Sequence, residues 1–261
     1  MKLHICIKQV PDITAPSSIR NGELVFETDR VVLDAYSASA VEESLVLSEK
    51  HGGEVSVVSI GSDKVKETIR KALAMGAENA VHIKTGDTSA FDSSVYARLL
   101  AAYFEKNPGF EVILLGKQAQ DTDAGLTGSM LAEKLGLPYA TNAVGLEFDE
   151  SAGKMIVTRQ GDSGQEIIAL PIPCIVTCSN DMNDPRIPNL RGIMQSKKKP
   201  VEEISPDDLE ISSDELNQMA FTEITGYEPM PERQPGKKLE GEPEELAKQL
   251  VDLLQNEAKV L

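Results

Sequence analysis

Cysteine and histidine are scarce in this sequence. Only Cys6, Cys174 and Cys178, and His4, His51 and His82, occur in 261 residues. An odd, sparse cysteine count argues against a disulfide framework. Cys174 and Cys178 share parity in the strand-like run IPCIVTC, so both point to one sheet face. A metal centre needs more ligands than stand near them, and the expectation is three buried packing thiols. The scattered histidines form no nucleophile–His–carboxylate pattern, so no catalytic residue is assigned. No stretch approaches the ~20 apolar residues of a membrane-spanning helix. The N-terminus opens directly on a strand-like run, Leu3 to Val10, without the features of a secretory signal, and a cytoplasmic location is expected.

Clustered positive charge is also lacking. The net charge is −16, and residues 201–261 carry 16 acidic and 5 basic side chains against 26 and 21 in the first 200. Phosphate-backbone binding needs clustered Lys and Arg, so a nucleic-acid partner is not expected. Lys197, Lys198 and Lys199 form the one short basic run.

What is present is an alternation of strand and helix patterns through residue 140. Strand-like runs at 3–10, 54–61, 80–84 and 111–116 alternate with helical spacing after Asp34, after Ser62, at 92–106 and from about Gly125 to Leu135. Near-continuous apolar strands separated by helices predict a doubly wound, mostly parallel α/β sheet covered on both faces. Alternating stretches at 142–148, 154–160 and 165–170, separated by DESAG and GDSG, predict an antiparallel addition. Residues 172–178 read as another buried strand. From 183 to 240 the chain is rich in proline and reads as a loop followed by an extended arm. A final helix carries Leu246, Leu250 and Leu253 as an apolar stripe, with Pro243 in its first turn.

The most informative chemistry lies in ILLGKQAQDTDAGLTG, residues 113–128. A strong strand ends at Gly116, a polar loop follows, and a helix starts near Gly125. Helix N-termini offer unpaired N–H groups and the positive end of a dipole, which suits a phosphate. There is no GK[ST] sequence, so this is not a P-loop. Asp121 and Asp123 oppose a bare phosphate site unless the loop aims them away.

Five stretches in register resemble the electron transfer flavoprotein beta-subunit family. They are KQVPD (8–12), AVEESL (40–45), ETIRKALAMGAENAVHI (67–83) and LLGKQAQDTDAGLTG (114–128), and then PCIVTC (173–178) with NDPR (183–186), LRGIM (190–194) and SKKKPVEE (196–203). The resemblance runs from residue 1 to about 204. It implies a flavodoxin-like, adenine-nucleotide-binding fold over 1–204, including a recognition loop at 183–204. The C-terminal arm and helix, 205–261, would contact an alpha subunit in a heterodimer. That partner would supply most contacts to an electron-transferring FAD.

Carried onto this chain, the family's nucleotide contacts fall on Cys6, on Asp34, Ala35, Tyr36 and Ser37, on Ile60, and on Gly116 through Thr127. Within the last stretch they are Gln118, Ala119, Asp121, Thr122, Asp123, Ala124, Gly125 and Leu126 beside the two ends, with phosphate held mostly by backbone N–H groups. The stretches DAYS (34–37) and DAGL (123–126) depart from the family's AMP-binding pattern in their side chains. Tyr36 reads equally as a packing aromatic, and Asp34 as a simple cap. Arg186 reads either as an anchor of its loop or as a flavin-side residue. LTGSM resembles the branch that binds a structural AMP, whereas KQVPD resembles the electron-bifurcating branch, where a second FAD oxidises NADH. A stand-alone nucleotide sensor is the third reading. The resemblance further implies an electron carrier rather than an enzyme. It would dock flavin-dependent dehydrogenases, such as acyl-CoA dehydrogenases, and a quinone reductase. The docking surface would be Leu190, Arg191, Ile193, Met194, Lys197, Lys198 and Lys199.

Overall fold

A nine-stranded sheet organises the computed structural model, which describes residues 1–231 and 235–261. The strands are β1 (Lys2–Ile7), β2 (Gln9–Pro11), β3 (Ser17–Arg20), β4 (Glu23–Phe26), β5 (Val31–Leu33), β6 (Glu54–Gly61), β7 (Asn79–Lys84), β8 (Val112–Gly116), β9 (Tyr139–Asp149), β10 (Lys154–Gly161), β11 (Gly164–Pro171), β12 (Cys174–Cys178) and β13 (Val201–Ile204). The α-helices are α1 (Ala35–His51), α2 (Val65–Met75), α3 (Ser93–Lys106), α4 (Thr127–Leu135), α5 (Leu190–Ser196), α6 (Ser213–Gln218) and α7 (Pro243–Asp252).

Strand order in the large sheet is β11-β10-β9-β12-β8-β1-β6-β7-β13. From β12 to β13 every neighbouring pair is parallel, and β9 also joins β12 in parallel. The β9–β10–β11 meander is antiparallel, as the alternation at 142–170 predicts. Central strands are buried along almost their whole length: every residue of β12, and all of β6 except Glu54. A strand covered on both faces cannot alternate apolar with polar, which is why VSVVSI and CIVTC read as continuous runs.

Two apolar layers sandwich this sheet. On one face Leu3, Ile5 and Val57 meet Val41 and Leu45 of α1 and Ile69 and Leu73 of α2. On the other, Cys6, Val58 and Ile113 meet Leu99 and Phe104 of α3 and Leu131 of α4. All three cysteines are free and buried, and burial pushes the Cys174 thiol up to about 12. The expected packing thiols are therefore found.

Two small pairings lie between β1 and α1. β2 pairs with β5, and β3 with β4 around Asn21 and Gly22, which both take positive φ. The Asn-Gly pair supplies the backbone conformation a tight hairpin needs.

The chain divides into two units, Met1–Gly226 and Tyr227–Leu261. The sequence starts the arm at 205, whereas the first unit continues past it. Leu209, Ile211 and Leu216 are buried in the α3-side core cluster. Residues 183–204, expected to be a loop, contain the short helix α5 and the strand β13. Leu209, Ile211 and Leu216 stand two and five residues apart among charged neighbours, a spacing with no helical or strand periodicity, so these contacts are invisible without the surface they cover. Residues 232–234 of the proline-rich arm lie outside the described residues. In the second unit, α7 begins with Pro243 at its first turn and carries Leu246 and Leu250 unburied, while Leu253, the third residue of the expected stripe, lies just past its end. Among the described residues no helix is long and apolar enough to cross a membrane.

Candidate functional site

The chain runs outward from β1 through β6 to β7, then returns to place β8 on the other side of β1. The connections leaving β1 and β8 therefore diverge, the topology that in doubly wound sheets leaves a ligand crevice at the strands' carboxyl ends. Two sequence segments meet there: the start of α1 at Asp34–Ser37 and the loop from Gly116 to Thr127.

Asp34 holds the two together. It is fully buried, and its Oδ2 accepts from Ser37 N at 2.9 Å and from Ser37 Oγ at 3.1 Å, capping α1. Its Oδ1 accepts from Gln120 N at 2.9 Å, while Gln120 Oε1 accepts from Ala35 N at 3.0 Å. Burial pushes the Asp34 carboxyl upward, and these hydrogen bonds pull against that rise. The segments also approach closely. A Cβ placed on Gly116 would lie 2.7 Å from Tyr36 Cβ and 3.0 Å from Ser37 N, so only glycine fits at the end of β8. Tyr36 is half-buried at this junction, and burial, with Asp123, Asp34 and Asp181 nearby, pushes its phenol upward.

Within the loop, Ala119 O accepts from Thr122 N at 3.3 Å and Asp123 N at 2.7 Å, and Asp123 takes a φ of 51°. Residues Asp121 to Leu126 are exposed. The loop delivers the chain to α4, whose N-cap is Leu126, which has no side-chain capping bond. Its first-turn N–H groups therefore await an acceptor, as an anion-binding helix start requires. Gly128 is buried, and a Cβ there would meet Thr177 Cγ2 at 2.3 Å, which fixes α4 against β12. A phosphate fits this arrangement: exposed loop, uncapped helix start, and no side-chain acceptor in competition at the cap.

The structure thus brings Asp34, Ala35, Tyr36 and Ser37 together with Gly116, Gln118, Ala119, Asp121, Thr122, Asp123, Ala124, Gly125, Leu126 and Thr127. Cys6 and Ile60 lie lower, near the strand ends, packed in the α3-side core at 7% and 8% exposure. Two residues of the junction go unassigned in the sequence. Gln120 makes the reciprocal bonds to Asp34 and Ala35, and Lys8 reaches Asp121 from the end of β1. The available signal is position: each stands inside a quoted motif at a strand's carboxyl end.

A second surface lies on α5. Asn189 caps it by accepting from Gly192 N at 2.8 Å. Gly192 sits so close to α2 that a Cβ would lie 2.5 Å from Ala74 O. Leu190, Arg191, Ile193 and Met194 are exposed, with Leu190 at 73% and Met194 at 63%. Lys197 and Lys198 are exposed beside them. Lys199 instead turns inward, donating to Leu73 O, Gly76 O and Ala77 O at the end of α2. It satisfies carbonyls that a helix terminus leaves free, and burial lowers its pKa. Arg186 is an anchor: its guanidinium bonds Glu42 at 2.8 Å and Glu49 at 2.6 Å, both on α1. Asn183 adds bonds to Ser39 O and Glu43.

Asp63, His82 and Glu203 are the one group among the described residues whose ligand atoms come close enough to hold an ion. Lys66 and Lys84 already neutralise it: Asp63 pairs with both, and Glu203 with Lys66.

The fold is that of a doubly wound α/β protein. The family model for the electron transfer flavoprotein domain matches residues 23–209. The chain is similar to electron transfer flavoprotein subunit beta of Bacillus subtilis, 34% identical over 261 residues that cover both chains fully. It is 36% identical over 267 residues to the mitochondrial subunit beta of Oryza sativa subsp. japonica, again covering both fully. It is also 31% identical over 214 residues, 81% of each chain, to the Caffeyl-CoA reductase-Etf complex subunit CarD of Acetobacterium woodii. The chain belongs to the electron transfer flavoprotein beta-subunit family.

Proposed function

We propose that this chain binds AMP in the crevice between β1 and β8. It would complete a heterodimer with an alpha subunit that holds most of an FAD, and pass electrons from docked dehydrogenases. The uncapped start of α4 facing the crevice is the observation that carries the nucleotide reading. A phosphate there would receive first-turn N–H groups and the positive end of the helix dipole. Gly116 lets the loop start flush against α1, and the Asp34–Gln120 exchange holds the two walls of the crevice at a fixed separation. The FAD supplies the redox chemistry. This chain's part is to bind, to orient its partner, and to present the α5 surface to dehydrogenases.

A second reading has its own support, the similarity to a subunit of a caffeyl-CoA reductase–Etf complex together with the KQVPD opening. In that reading the crevice takes a second FAD and the assembly oxidises NADH. Chromatography of nucleotides released from the purified heterodimer separates the two. One FAD with one AMP is the expected outcome. Two FAD, with NADH oxidation, would establish the second reading, and a single FAD with nothing else would refute the site.

A further inference from the structure

Lys8 is the first residue beyond β1 and stands at the floor of the crevice. Its backbone is tied to α1: Lys8 N donates to Ser37 Oγ at 3.2 Å, and Lys8 O accepts from Asp34 N at 3.1 Å. Its side chain crosses to the opposite wall, where Nζ bonds both oxygens of Asp121 at 2.7 and 2.8 Å. The ammonium also lies 5.6 Å from the Tyr96 ring centroid, at the start of α3. The two charged side chains are 26% and 21% exposed, at the edge of the exposed 121–126 segment.

Asp121 belongs to a loop that runs into an uncapped helix start. A free carboxylate here would set a negative charge on the ground an incoming phosphate must occupy. The lysine cancels that charge and draws the carboxylate toward β1. We infer that Lys8 is a positioning residue for the nucleotide site: by binding Asp121 it cancels the carboxylate's charge and holds it away from the phosphate's position. This inference rests on the crevice being the nucleotide site, and it adds which charge makes an acidic loop acceptable to an anion. Lys8 acts through Asp121, not by touching the ligand.

The experiment is AMP titration of the heterodimer after its nucleotide has been exchanged out, in the parent and three variants. Lys8→Met should weaken AMP binding by about tenfold or more, the loss expected when an unpaired carboxylate is left beside an incoming phosphate. Lys8→Met combined with Asp121→Asn should recover to within about threefold of the parent, because the orphaned charge is gone. Asp121→Asn alone should bind as well as the parent or better. A Lys8→Met variant that binds normally overturns the inference. So does a double variant as weak as Lys8→Met, which would mean that the lysine meets the ligand directly. A tenfold loss in Asp121→Asn also overturns it, and this arm stands even where Lys8→Met fails to fold. A parent heterodimer with no affinity for AMP or FAD defeats the reading of the site and this inference together.

Discussion

Leu190 is 73% exposed at the first turn of α5, with Ile187 at 91% and Met194 at 63% around it. An aliphatic side chain left in water contributes nothing to the fold, so its removal is a clean probe of docking. Burying one leucine in a partner's pocket is worth roughly 1.5–3 kcal/mol. Pro185 and Pro188 stiffen the approach, which limits the entropy lost on binding. Leu190→Ala is expected to leave the melting temperature and nucleotide content unchanged. Electron transfer from a dehydrogenase should slow by about tenfold or more, at ~1.4 kcal/mol per decade. Steady-state reduction of the heterodimer at varied dehydrogenase concentration reads this out. An unchanged rate, or a large drop in melting temperature, would return Leu190 to a structural role. Exposed cations at 197 and 198 fit steering toward acidic partners, whereas Lys199 is committed to the end of α2.

At the scale of elements, single carboxylates join segments that propensity alone would leave apart. Asp92 caps α3 through Oδ1, which accepts from Ser94 N and Val95 N, while its Oδ2 accepts from Phe221 N at 2.7 Å and from Thr222 N and Oγ. One side chain thus starts a helix and pins the segment after α6 to it. Burial pushes this carboxyl up, but the hydrogen bonds from Phe221, Val95, Thr222 and Ser94 outweigh it, and the net shift is downward. A lowered folded-state pKa gives stability that is complete above the unfolded value, about 3.9 for Asp. That stability is lost as pH falls through the folded value. Acid unfolding followed by circular dichroism should therefore show a steeper loss below about pH 4 in the parent than in Asp92→Asn. Equal slopes would remove Asp92 from the acid response. Arg186 works similarly, holding the base of the 183–189 segment on Glu42 and Glu49, and it lowers the Glu49 carboxyl's pKa through its hydrogen bond.

For the whole molecule, the division after Gly226 sets what can be removed. Residues 205–226 are part of the first unit, through Leu209, Ile211 and Leu216, so deleting them would open the α3 core. Deleting 227–261 removes a unit whose helix buries none of its residues in this chain. We expect the 1–226 fragment to unfold cooperatively, like a complete domain, but to fail to co-elute with the alpha subunit. A fragment that still co-elutes would relocate the subunit interface to the first unit.

Much of this was determined by the sequence alone. Strands destined for burial on both faces must be apolar throughout, so β6, β8 and β12 stand out as runs, and the helices between them follow from the spacing of their apolar residues. The 116–127 stretch announced itself because a strand, a polar loop and a helix start are contiguous in the chain. Only the tertiary structure decided what depends on distant partners. Lys8 and Asp121 are 113 residues apart, Asp34 and Gln120 86, and Asp92 and Phe221 129. The same holds for β13, a short charged strand at the sheet edge that becomes a strand only because β7 lies beside it. Lys199, one of three adjacent lysines, is distinguished from the others only by the carbonyls at the end of α2. Periodicity and capping are written in neighbours along the chain. Pairing of charges and edges is written in which strands the crossovers bring together, and no local pattern carries that information.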